Sequence, residues 1–96
     1  MIIHESSYRR WLAARGVGDR DRVASSPASY VSYLNSVSDL LGEDVSPTLV
    51  SNEADVQEIL ARLDGLRSSN TIKNYGSALR QYAAMVQAGA HPQPAA

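Results

Sequence analysis

Residues Arg67 to Val86 read RSSNTIKNYGSALRQYAAMV, and this stretch decides the fold class. Ser69 or Asn70 can cap a helix start, because a short polar side chain accepts a bond from an otherwise unpaired first-turn amide. Apolar residues then recur at Ile72, Tyr75, Leu79, Tyr82 or Ala83, and Val86. Steps of three and four place them on one helix face. Gly89 supplies a left-handed stop, and Pro92 and Pro94 oppose continuation. The opposite face carries Lys73, Asn74, Ser77, Arg80 and Gln81, and no acid follows Asp64.

Working back towards the N-terminus, Glu53 to Leu63 shows the same pattern. Ser51 or Asn52 caps it, and Val56, Ile59, Leu60 and Leu63 form its apolar stripe. Glu53 and Asp55 fall in the first turn, where negative charge favours the positive end of the helix dipole. Asp64-Gly65 ends it. Before it, EDVSPTLVS is a connector with room for a single turn at Pro47 to Val50. An earlier helix starts at Ser25 or Ser26 with Pro27 in its first turn, where a missing amide is harmless. Tyr30, Leu34, Val37 and Leu41 share one face, and Gly42 stops it. The first helix runs from Ser6 or Ser7 to about Arg15, with Tyr8, Trp11 and Leu12 as its stripe and Trp11 filling the core. Gly16 and Gly18 end it, and a polar loop to Ser26 follows.

No stretch alternates with period two for long enough to predict a strand. The expected fold is therefore all-α, a compact bundle of four to five short helices. Residues 1–88 form one helical domain, and 89–96 form a disordered tail or linker. Ser29-Tyr30-Val31-Ser32-Tyr33-Leu34 is echoed by Asn74-Tyr75-Gly76-Ser77-Ala78-Leu79, which suggests two related helical hairpins with Tyr30 and Tyr75 as equivalent anchors.

Ninety-six residues suffice for one small core with little margin. The absence of Cys removes disulfides, thiolate nucleophiles and the usual zinc sites. No run approaches the roughly 20 apolar residues that cross a bilayer, and the N-terminus is too polar for a signal peptide. A soluble, cytoplasmic protein is expected. Net charge is −1, which alone opposes a dedicated nucleic-acid binder. The charge is nevertheless segregated: +2 over residues 1–38, −6 over 39–64 and +3 over 65–96. Such a chain can present one face to a polyanion and another to a basic partner.

Ser68-Ser69-Asn70-Thr71-Ile72-Lys73-Asn74-Tyr75, continued by Ala78-Leu79-Arg80-Gln81-Tyr82, resembles the S-x-N-T-I-x-x-Y helix start of a known family. That family is the SAM-like, N-terminal core-binding domain of phage integrases and tyrosine recombinases. Similar modules precede nuclease domains in some restriction-type proteins. The likeness covers about Asn52 to Val86 and extends weakly over Tyr8 to Leu41. It implies a helical clamp on duplex DNA, with Arg67, Ser68, Ser69, Asn70, Thr71, Lys73 and Asn74 near phosphates. Ser77 and Arg80 would follow one and two turns on. Helix N-termini present free amides and partial positive charge to anions, and Ser, Thr and Asn are common phosphate contacts. The recombinases' catalytic domain has no counterpart in this chain.

Arg20 and Arg22, in the polar loop, are candidates for additional backbone contacts. Their alternating neighbours Asp19 and Asp21 equally suit a solvated loop. Glu53, Asp55 and Glu58 share one helix without His or Cys, so a solvated face is favoured over a metal site, and they are the candidate protein-binding residues of the second function class below. His4 and His91 are expected in frayed ends. No phosphate-cradling glycine loop and no nucleophile–base motif is present. The sequence therefore predicts no catalytic residues, no cofactor and no metal. Two function classes stay open. One is a non-catalytic DNA-binding module whose weak, salt-dependent partner is duplex DNA. The other is a small mobile-element or phage protein that binds and inhibits a host nucleic-acid-processing enzyme through its acidic face.

Overall fold

Every helix start but one is fixed by a side-chain acceptor. In the computed structural model, which describes residues 1–15 and 26–92, the four helices are α1 (Glu5–Ala14), α2 (Pro27–Leu41), α3 (Glu53–Leu63) and α4 (Ser69–Gln87). Ser26 Oγ accepts the Ser29 amide at 3.1 Å, and Pro27 occupies the first helical position of α2. Asn52 Oδ1 accepts the Asp55 amide at 2.9 Å. The Asp55 carboxylate accepts in return from the Ser51 amide at 3.0 Å and the Ser51 hydroxyl at 2.7 Å. This reciprocal arrangement satisfies donors that the helix itself leaves open.

Two starts differ from the sequence expectation. α4 is capped by Ser68, whose hydroxyl accepts the Thr71 amide at 3.3 Å, and not by Ser69 or Asn70. α1 begins at Glu5, before Ser6 and Ser7, with His4 as its N-cap in the left-handed region and no side-chain cap. Ser7 is buried inside the first turn, so its hydroxyl faces its own helix and accepts from Arg10. At the far ends, Gly42 (φ 69°) closes α2, and its amide bonds the Ser38 carbonyl at 2.9 Å. Gly89 (φ 67°) closes α4, where the Ala90 amide reaches back to the Met85 carbonyl. The segment at Pro47–Val50 is a single turn, held by the Val50 amide on the Ser46 carbonyl.

The described residues contain no strand. Two isolated bridges occur, Ile2 with Val45 and Asp64 with Arg67. The first ties the N-terminus to the α2–α3 connector through the Ile3 amide on the Val45 carbonyl at 2.8 Å.

α4 is the central element: it packs against α1, α2 and α3, and α1 also packs on α2. It buries Tyr75, Ala78, Leu79, Tyr82, Ala83 and Met85 against Tyr8 and Leu12, Val31, Leu34 and Val37, and Val56, Ile59 and Leu63. Val45 and Val50 from the connector complete the core. Burying each large aliphatic side chain contributes about 1.5–3 kcal/mol. Two buried phenols need acceptors and have them. Tyr8 Oη donates to the Ala78 carbonyl at 2.8 Å, and Tyr82 Oη donates to the Ile3 carbonyl at 2.7 Å. The radius of gyration, 12.7 Å, matches about 13 Å for a tightly packed chain of 100 residues.

Tyr30 and Tyr75 are linked through Tyr33, whose ring centroid lies 6.0 Å from one and 6.2 Å from the other. Tyr33, at the echoed position of Ala78, is thus the bridging side chain between α2 and α4. His4 and His91, expected to fray, stack on each other with centroids 5.2 Å apart. The fold brings the start of α1 to the end of α4, and sequence distance hides this. No described helix is long and apolar enough to cross a membrane.

Candidate nucleic-acid interface

The first turn of α4 is exposed. Residues 64–70 are all exposed, from the end of α3 through the first turn of α4. Ser68 supplies the cap and also donates its hydroxyl to Thr71 Oγ1 at 2.9 Å, so both side chains are oriented by each other. The helix start leaves the Ser69 and Asn70 amides without intrahelical acceptors. Lys73 is exposed, while Asn74 and Ser77 are half-buried beside it. Ser77 Oγ donates to the Lys73 carbonyl at 3.4 Å, one turn back. Arg67 folds its guanidinium onto the neighbouring Leu66 carbonyl at 2.7 Å and stays in solvent.

Along α4, Asn70, Asn74, Ser77 and Gln81 fall at steps of four, three and four. They form one line on the side away from the core. Lys73 lies beside this line on the flank nearer α3. Arg80 lies further round, and its charge is already matched. Its Nε and Nη2 lie 3.0 and 3.1 Å from the Glu53 carboxylate oxygens. Gly76 explains the close approach of the two helices here. A Cβ at this position would sit 3.2 Å from Leu60 Cδ1 and 3.1 Å from an Arg80 guanidinium nitrogen.

The acidic candidates are distributed unevenly. Glu53 is engaged by Arg80 and by Gln57 Nε2 at 2.6 Å. These bonds hold its carboxyl below its ordinary range. Asp55 is likewise lowered, by the Ser51 hydroxyl and amide. Glu58 is exposed on the outer side of α3. A separate open hollow is lined by Met1, Ser38, Asp39, Gly42, Glu43 and Asp44, and the N-terminal ammonium pairs there with Asp44 at 3.3 Å.

The structure therefore places Arg67, Ser68, Ser69, Asn70, Thr71, Lys73, Asn74 and Ser77 on one contiguous surface, with Arg80 at its edge in an ion pair. Arg20 and Arg22 lie outside the described residues. Among the described residues, no group of three or more His, Asp or Glu side chains is placed to hold a metal ion. The Glu53–Arg80 pairing was invisible in sequence because the two residues are 27 positions apart. The Trp11 indole, bonded to Gln81 Oε1 at 3.1 Å across 70 positions, was hidden for the same reason.

Comparison of the chain with family models, with curated proteins and with solved structures gives no match.

Proposed function

We propose that this chain is a non-catalytic module that binds the sugar–phosphate backbone of duplex DNA, as an integrase core-binding domain does. The observation that carries this reading is the exposed first turn of α4. There, Ser68 caps the helix while Ser69, Asn70, Thr71 and Lys73 stay accessible, and the helix holds no acid. A phosphate oxygen at that position meets free amides, hydroxyls and the positive end of a 19-residue helix. Lys73 and Arg67 supply the net charge, and Arg80 contributes less because Glu53 neutralises it. Three or so phosphate contacts give weak binding with a log–log salt slope of about −3. Binding of a fluorescent mixed-sequence duplex at low salt tests the proposal. Lys73→Glu should abolish most of the affinity, and absence of duplex binding by the parent chain would refute it.

The competing reading is an acidic face that inhibits a host nucleic-acid enzyme. It loses support from the engagement of Glu53 and Asp55 within the fold. It would rest mainly on Glu58.

A further inference from the structure

We infer that the duplex contact continues onto α1 through the Arg15 guanidinium, which sits over the Trp11 ring at the rim where α1 meets α4. This rests on the backbone-binding reading of α4. Trp11 is half-buried, packs on the core, and is pinned by its indole N–H bond to Gln81. The pinned ring gives Arg15 a fixed platform, with the guanidinium carbon 5.0 Å from the ring centroid. A cation–π contact holds the charge over the ring without using up the guanidinium's N–H donors, which stay available to an outside acceptor. Less side-chain freedom is then lost when a phosphate binds.

Two observations direct this group towards a polyanion. Arg9, Arg62 and Arg80 each meet a carboxylate, on Glu5, Glu43 and Glu53 respectively. Arg15 has no carboxylate partner among the described residues. Its platform also joins α4 at Gln81, the end of the outward line that begins at Asn70. Eleven residues of helix span about 16 Å, close to five base-pair rises of about 3.4 Å. Of the described cations without a carboxylate partner, Lys73 and Arg67 lie near the start of the polar line and Arg15 near its end, while Arg10 on α1 meets only the Ser7 hydroxyl. On the α3 flank of α4, beyond Lys73, Arg80 is paired with Glu53.

Trp11 is the only tryptophan in the chain, so its emission reports on this rim alone. A short mixed-sequence duplex is titrated at about 50 mM salt while affinity and Trp11 emission are followed. Arg15→Gln should weaken binding about tenfold at that salt and reduce the salt slope by about one. Its thermal midpoint should not move. Arg15→Lys should keep the slope, because the charge remains. In the parent, Trp11 emission should change on saturation. Parental affinity and slope in Arg15→Gln, with affinity still lost in Lys73→Glu, would overturn the inference and leave the α4 reading standing. A parent chain that binds no duplex would overturn both.

Discussion

Arg80 and Glu53 join α4 to the first residue of α3 through a two-point contact between side chains that are each about half exposed (47% and 56%). The contact couples two surfaces that the sequence assigned to different partners. It removes a cation from the polynucleotide side and an anion from the acidic side together.

Freeing that arginine should therefore strengthen binding. Glu53→Gln is expected to raise duplex affinity and steepen its salt dependence, because Arg80 regains its full charge. Arg80→Gln alone should cost less affinity than Lys73→Gln. In the Glu53→Gln background, the Arg80 substitution should cost more. A double-mutant cycle on duplex binding measures the coupling, and additive effects would contradict it.

Acid should loosen the start of α3. The Glu53 and Asp55 carboxyls sit below their ordinary values in the fold, through Arg80 and Ser51 respectively. The unfolded chain binds protons first as pH falls. Their contribution is thus present above the ordinary carboxylate range and lost as pH drops through the lowered folded values. Thermal melting followed by circular dichroism should show a smaller loss between pH 6 and pH 3 in the Glu53→Gln, Asp55→Asn double variant than in the parent.

Alkali should unfold the core. Burial pushes the Tyr82 phenol from 10.0 up to about 12 and Tyr8 higher still. For a raised folded value the stability is intact below the unfolded value near 10. It is lost as pH rises towards 12 and beyond. Absorbance titration should show Tyr8 and Tyr82 ionising only together with loss of helical signal. Ionisation of all five tyrosines near pH 10 with the fold intact would contradict this.

Core truncation should be severe and cap removal mild. Leu79→Ala, at a fully buried position of α4, should destabilise by about 2–5 kcal/mol. That is a large share of the roughly 5–15 kcal/mol available to a domain. Ser68→Ala should cost about 1 kcal/mol by removing the Thr71 cap. Gly76→Leu should cost about 1–3 kcal/mol, because the added atoms meet Leu60 and Arg80. Urea titration gives all three values.

Local signals are legible where physics acts within one turn. Pro27 after Ser26, Asn52 before Glu53, and glycine at 42 and 89 each fixed a boundary, because caps and left-handed turns depend on immediate neighbours. The start of α1 lies one to two residues before the Ser6 or Ser7 cap that the sequence suggests, because His4 takes a left-handed N-cap conformation with no side-chain cap to mark it. The role of Tyr33 as the link between Tyr30 and Tyr75 is not legible in the sequence, because it exists only when α2 lies on α4.

The sequence by itself determined four helices, their apolar stripes and a final helix whose outer side lacks acids. Periodicity and capping are properties of residues a few positions apart. The tertiary structure decided which charges remain available. Pairing of Arg80 with Glu53, the bond of the Trp11 indole to Gln81, and contact of His4 with His91 all join distant segments. The strength of a charge or ring contact depends on separation in space, which the packing of α1 and α3 around α4 sets.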